Sequence, residues 1–324
     1  MTYFKKNGHE TANDPSQAWP YAGVPDLGDD DSYRAWRDEK LARYERALDD
    51  LMVAVNNPAD PSKDERAAVM ARIGDTNMAL YSLAPTLADD DAVGRTLLAL
   101  TKSFGLEALE DHRSANQNGI VRIEIVQTDG RRGYIPYSDR PISWHTDGYY
   151  NYHGPTRCVQ AMILHCTRAA RTGGENRLLD HEIAWLRMRD HDLRALRLLM
   201  HPQAMTIPEN VEDSGRVRPA NTGPVFYLDG SGALGMRYSA RKRFVSWRNE
   251  DTRKAADTLL GLIETEPLIR VVRLKPGQGL ICNNVLHDRG SFADEPDCTR
   301  LIYRIRFYGR VKAQSRNISS PNAL

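Results

Sequence analysis

Three residues of this chain have the types and the order that bind a transition metal. His145 and Asp147 stand two apart in Ser143-Trp144-His145-Thr146-Asp147-Gly148, and His287 lies far downstream. Residues two apart on an extended segment point to one side. An imidazole and a carboxylate there can share one ion. His287 completes two imidazoles and one carboxylate, the facial set of non-haem Fe(II) oxygenases, which leaves coordination positions open. The pair alone is a weak signal, and a turn histidine beside a loop-capping aspartate is its commoner reading. A zinc hydrolase could use the same ligands, but it would need a general base, and no His-Glu-x-x-His motif is present.

A second group of chemical residues lies just after His287. In Thr299-Arg-Leu-Ile-Tyr-Arg-Ile-Arg306, alternation sets Arg300, Ile302, Arg304 and Arg306 on one face. Leu301, Tyr303, Ile305 and Phe307 take the other. Period alone leaves open which face is inside, and an outward arginine stripe is the alternative. Tyr149, Tyr150 and Asn151 follow the metal motif and either line a pocket or pack beneath a loop. Gly235 to Phe244 is basic and aromatic. There Arg237, Tyr238 and Arg241 could hold a carboxylate or form a solvated face. Arg122 and Glu124 share a strand face as a surface ion pair. Asn283 and Asn284 either orient His287 or close the end of its strand.

The elements that must position these residues are legible from pattern. Helical spacing predicts helices over about 31–55, 62–83 and 89–104, the second opened by a Ser62/Glu65 capping box. Strands are expected at 119–126, 157–167, 225–228, 235–238, 269–274, 279–284 and 300–308, with a turn at Asp129-Gly130. Helices are expected at 180–200 and 249–264. Many short strands with Gly/Pro turns after a helical start imply an α+β fold, mainly β, with a jelly-roll core under helical cover. The expected divisions are an N-terminal arm and cover at 1–112, a core at 113–310 and a polar tail at 311–324.

The bulk numbers exclude other classes. The 324 residues carry 44 basic and 43 acidic side chains, a formal net charge of +1, so no global field points to nucleic acid or an acidic membrane. No apolar run is long enough to span a bilayer. The first 30 residues lack the apolar centre of a signal peptide. The four cysteines form no Cys-x-x-Cys pair, and Cys158, Cys166 and Cys282 sit in apolar stretches. A reducing, cytoplasmic setting is expected. The N-terminal helices are a candidate homo-oligomer interface.

Three ordered blocks resemble one family. They are Ile135-Pro136 … Trp144-His145-Thr146-Asp147, Thr172-Gly-Gly-Glu-Asn176, and Pro276-Gly277 … Asn283-Asn284 … His287 … Arg300 … Arg304. They are similar to the TauD/TfdA (taurine dioxygenase-like) Fe(II)/2-oxoglutarate oxygenases over roughly 119–310. The resemblance implies a double-stranded β-helix, Fe(II) on His145, Asp147 and His287, and 2-oxoglutarate and O2 as cosubstrates. It matches Arg300 to the arginine that holds the far carboxylate of 2-oxoglutarate, and Arg304 to a substrate-side arginine. Where the family usually has a threonine after Gly-Gly-Asp, this chain has Asn176, whose amide could donate to the cosubstrate. Asp147 implies hydroxylation rather than halogenation. The expected activity is hydroxylation of a small carboxylate-bearing or zwitterionic metabolite, with release of succinate and CO2. The substrate would be held by Arg304, Tyr149, Tyr150, Asn151 and Arg237. A non-catalytic jelly-roll sensor is the rival from another class, and intact Asp147 and Arg300 argue against it.

Overall fold

The structure is a computed structural model that describes residues 27–83, 90–111, 115–116, 118–126, 135–211, 215, 217–295 and 298–311. The expected arm up to residue 26, the Asp129-Gly130 turn and the tail beyond Val311 lie outside these residues.

Ten strands form two sheets. In chain order they are β1 (Met52–Val55), β2 (Met78–Leu83), β3 (Ile120–Ile123), β4 (Ile142–His145) and β5 (Ala161–Arg168). Then come β6 (Asn176–Leu179), β7 (Arg270–Val272), β8 (Gln278–Cys282), β9 (Leu286–Arg289) and β10 (Leu301–Phe307). The larger sheet runs β1-β2-β8-β5-β10-β3 and the smaller β7-β6-β9-β4. Every pairing is antiparallel except β1 with β2. The helices are α1 (Asp30–Leu48), α2 (Lys63–Thr76), α3 (Asp90–Lys102), α4 (His181–His191), α5 (Leu193–Met200) and α6 (Glu250–Glu264). This is the expected double-stranded β-helix with helical cover.

Period-2 alternation divides the core in two. Ile302 of β10 joins Leu80, Leu164, Leu178 and Trp144 between the sheets. Leu301, Tyr303, Ile305 and Phe307 pack outward with Val69 and Ile73 of α2 and Val93 and Leu97 of α3. Helices therefore cover the apolar face of β10, and its arginine face turns into the β-helix.

Three helix expectations are corrected. The first helix does not continue to Val55, because α1 ends at Leu48 and Met52–Val55 is a strand with alternating burial. The second does not continue to Leu83. The Ser62/Glu65 capping box forms as expected, but Asn77 closes α2 in the left-handed region at φ 56°. The next segment, Met78–Leu83, then pairs with β8. The single helix expected at 180–200 breaks at Asp192, whose extended backbone and side chain cap α5 through the Ala195 N–H at 3.0 Å.

Candidate metal centre

Strand register brings the two histidines together. His287 on β9 lies directly opposite His145 on β4. Opposed residues of an antiparallel pair point to the same side, and the two ring centres are 4.2 Å apart. Asp147, two residues beyond His145, brings its carboxylate to that side. One ligand atom from each of the three residues lies within 4.8 Å of the others.

The surroundings fix how each ligand faces. His145 Nδ1 lies 2.9 Å from the carbonyl of Ser143, and His287 Nδ1 lies 2.9 Å from that of Val285. A carbonyl only accepts, so both Nδ1 atoms carry the proton and both Nε2 atoms keep a free lone pair. Asn284 clasps the Asp147 peptide. Its Oδ1 accepts the Asp147 N–H at 2.8 Å, and its Nδ2 donates to the Asp147 carbonyl at 3.0 Å and the Val159 carbonyl at 2.8 Å. Asn284 does this from φ 51°, a region asparagine tolerates better than most residues. Gly148 follows at φ 69°, where a Cβ would stand 2.3 Å from Val159 Cγ2.

Electrostatics prepares the same three groups. Burial, reinforced by the nearby His287, pushes His145 down to about 3, so its imidazole is neutral at pH 7. Burial would raise the Asp147 carboxyl, but Arg304 and Arg306 hold it well below the usual carboxylate range. Arg304 Nη1 donates to Asp147 Oδ1 at 3.1 Å, and Arg306 Nη1 stands 3.8 Å from the same oxygen. The other oxygen, Oδ2, is buried and has no hydrogen-bond partner among the described residues. An ionised carboxylate with Oδ1 3.9 Å from His145 Nε2 and Oδ2 orphaned, grouped with two imidazoles, is a donor set that a divalent first-row metal satisfies, and the residues fit Fe(II).

Arg300 occupies a separate recess with Cys166, Gly174, Asn176, Arg273 and Ile302. It is 8% exposed. Burial lowers its pKa, and Cys166 and Asp294 only partly offset this. It makes no ion pair or hydrogen bond among the described residues. The Gly173-Gly174 pair opens this recess. Both glycines have positive φ, and a Cβ on Gly173 would lie 2.3 Å from the Ser291 carbonyl. Asn176 lines the recess, with Nδ2 donating to the Asp288 carbonyl at 2.7 Å.

The residues expected to meet substrate divide. Tyr149 stands edge-on to His145 with ring centres 6.3 Å apart. The Tyr150 hydroxyl accepts from Arg306 Nη1 and Nη2, each at 3.2 Å. Asn151 donates to Glu110 Oε1 at 3.0 Å. Arg304, expected to face substrate, instead pairs with the metal carboxylate. Arg237 is buried, and its terminal nitrogens donate to the carbonyls of Met205, Asn221 and Gly223. Those hydrogens are not free to fork a substrate carboxylate. Arg122 pairs with Glu124 at 3.2 Å, as expected of a surface pair.

Two contributors were missed as site residues. Arg306 shares the face of Arg300 and Arg304, so alternation had marked it. Glu110, which holds Arg306 at 2.6 Å, gave no local signal. A cleft of about 670 Å³ lies behind the ligand strands, lined by Trp144, Arg177, Asp288 and Leu260 among others. Trp144 and Asp288 alternate with His145 and His287, so this cleft is on the opposite face from the ligands.

Comparison with known proteins agrees with this geometry. The family of the taurine catabolism dioxygenase TauD, TfdA family matches residues 89–306. Uridine-5'-phosphate dioxygenase from Amycolatopsis sp is 30% identical over 179 residues, which cover 53% of this chain and 62% of that protein. The match thus spans less than two thirds of the relative's length. Asparagine oxygenase, solved with Fe(II), 2S,3S-3-hydroxyasparagine and succinate, superposes with a TM-score of 0.52 at 14% identity, covering 89% of this chain and 93% of that one. The non-heme iron oxygenase OrfP, solved with Fe, succinate and (3R,4R)-dihydroxy-L-Arg, gives 0.56 at 16% identity, covering 82% and 84%. At such identities these two structures show the shared fold. With the family matched over more than half of its length, the chain belongs to the TauD/TfdA family of Fe(II)/2-oxoglutarate-dependent oxygenases.

Proposed function

We propose that this protein is a dioxygenase that hydroxylates a small anionic or zwitterionic metabolite and converts 2-oxoglutarate to succinate and CO2. The observation that carries the reading is a pair of unmet needs. Asp147, grouped with two imidazoles, has a buried Oδ2 with no hydrogen bond among the described residues, and Arg300 is a buried cation with no ion pair among them. Fe(II) meets the first. The far carboxylate of 2-oxoglutarate meets the second, because the planar fork of arginine matches a carboxylate.

His145, Asp147 and His287 would hold the iron, which when bound supplies the oxidising chemistry that uses O2 and 2-oxoglutarate. The chain's own task is placement and exclusion of water. Arg304 and Arg306 at Asp147 Oδ1 keep the carboxylate ionised beside the two imidazoles. The carbonyls of Ser143 and Val285 hold each imidazole in the ligating tautomer. Arg300, with Asn176 at its side, fixes the cosubstrate's far end. Tyr149 and Tyr150 wall the side away from Arg300 and keep solvent from the reacting C–H bond.

The catalytic core is proposed as 113–310, with the preceding part as cover, in a reducing cytoplasmic setting. Three of the four cysteines are buried free thiols. Among the described residues no helix is long and apolar enough to cross a membrane. Neither nucleic acid nor membrane enters the reading, and self-association through the N-terminal helices is part of the proposal. The test is succinate formation from 2-oxoglutarate over a panel of anionic metabolites, with uridine-5'-phosphate first because the curated relative is named for it. Iron-dependent succinate release that rises with one panel member, and is lost in Asp147→Ala, is the expected result. Turnover of only cationic and neutral compounds would refute the anionic substrate.

A further inference from the structure

The substrate side of Asp147 holds more positive charge than its acids match. Arg304 is matched by Asp147 and Arg306 by Glu110. Arg218 and Arg237 have no carboxylate partner among the described residues. Arg218 donates to the carbonyls of Pro208 at 2.7 Å and Pro219 at 3.2 Å. Arg237 is held by main-chain carbonyls, and its Nε is buried without a partner. Burial, with a smaller contribution from Arg218, lowers the Arg237 pKa to about 10.

Both arginines are tied to the metal side of the molecule. The bridge between His145 and Ser239, extended by the Thr146 N–H to the Tyr238 carbonyl at 3.1 Å, ties the segment that carries Arg237 to the strand that carries His145. The Arg218 and Arg306 guanidinium carbons lie 5.9 and 5.8 Å from the centre of the Tyr150 ring. Arg306 in turn reaches Asp147. Tyr152 lies under Arg237 at 5.7 Å.

We infer that Arg218, backed by the fixed charge of Arg237, anchors a phosphate monoester on the substrate. Two unmatched cations call for a dianion. A carboxylate supplies one negative charge, whereas a phosphate monoester approaches two above its second pKa of about 6. Arg218 has five N–H donors and uses two of them, so it can fork the phosphate. Arg237 has its terminal hydrogens committed and acts through its field as a positioning residue. The tyrosines between this anchor and Asp147 take the organic body of the substrate. This inference rests on the oxygenase reading above and names its substrate class.

The test is calorimetric binding to the Fe(II)- and 2-oxoglutarate-loaded enzyme under anaerobic conditions. The probes are ribose 5-phosphate and nucleoside 5'-monophosphates, each against its dephosphorylated counterpart, with inorganic phosphate as competitor. At least one phosphate should bind about 10–100-fold more tightly than its counterpart, as expected for charge-assisted hydrogen bonds. The preference should shrink as pH falls through about 6, where the phosphate loses its second charge. Arg218→Gln should remove most of the preference without weakening the dephosphorylated ligand, and Arg218→Lys should keep part of it. A preference that survives Arg218→Gln, or no preference for any phosphate, overturns the anchor. The visible charge-transfer band of the same samples separates the two failures. Band present without phosphate preference sinks the anchor alone, and no band sinks the oxygenase reading.

Discussion

Two buried clusters of charge in this molecule have opposite designs. Around Lys40, Nζ meets Asp180 Oδ2 and Glu182 Oε2 at 2.6 Å each and the Asp75 carbonyl at 3.1 Å. Asp180 Oδ1 accepts from Asn77 Nδ2 at 3.0 Å and from the Glu182 N–H at 2.9 Å. Every donor of the ammonium is used. One loose end beside it is His181 Nδ1, 3.9 Å from Asp180 without a hydrogen bond. Around Asp147 the pairing stops short. Oδ2 and Arg304 Nε are buried and unmatched. The first cluster joins α1 and the α2–β2 turn to α4, and its cation is fully matched. The second keeps a carboxylate ionised at the cost of an unfilled position. Unsatisfied buried polar atoms mark a place where a ligand belongs.

Substitutions can break that contrast. Asp147→Asn should drop succinate formation to background and abolish iron binding, while thermal unfolding moves only slightly because the amide oxygen still accepts from Arg304 and Glu110 still holds Arg306. Unfolding comparable to that of a core variant would show the cluster to be structural. Lys40→Met should do the reverse. It strands Asp180 and Glu182, and should cost about 3–5 kcal/mol in urea denaturation, as for a buried pair that loses one partner. Iron affinity of the folded fraction should be unchanged. A Lys40→Met protein that unfolds normally but binds iron poorly would erase the distinction.

Finer changes sharpen the comparison. Asn284→Gly keeps the positive φ but removes the clasp on the Asp147 peptide. Iron affinity should fall about 10–100-fold, as for other groups that orient a ligand. Equal affinity would mean that the loop holds Asp147 without help. The smallest expected effect is on pH. His145 and His165 are pushed down by burial to about 3 and about 4, below their ordinary 6.5. Between pH 6.5 and those values the unfolded chain binds protons that the folded chain refuses. Apoprotein stability should therefore fall as pH drops below 6.5, by about 1.4 kcal/mol per pH unit for each such group. His165→Gln should reduce that slope and leave iron binding intact, and an unchanged urea-midpoint profile would contradict the assignment.

Part of the candidate metal site was legible in the sequence because its signal is local, whereas His287 lies 140 residues beyond Asp147. His145 and Asp147 are two apart, and alternation on β10 selects Arg300, Arg304 and Arg306 together. The pairing of those arginines was not legible. Arg304 lies 157 residues from Asp147, and Arg306 lies 196 residues from Glu110, which reaches it through the Leu109–Phe307 bridge and its own N–H to the Arg306 carbonyl at 2.9 Å. The same distance effect explains the lost strands. Met52–Val55 and Met78–Leu83 are short apolar runs that fit either period at the end of a helix. Met78–Leu83 is fixed as a strand by β8, about 200 residues further on, and Met52–Val55 pairs in turn with it.

The most direct test of the account is anaerobic titration of the apoprotein with Fe(II) and then 2-oxoglutarate, with Arg300→Ala alongside. A weak visible metal-to-ligand charge-transfer band in the wild type, lost or strongly weakened in Arg300→Ala, is the predicted result. No band in the iron-loaded wild type would contradict the claim that Asp147 Oδ2 and Arg300 are waiting for iron and its cosubstrate.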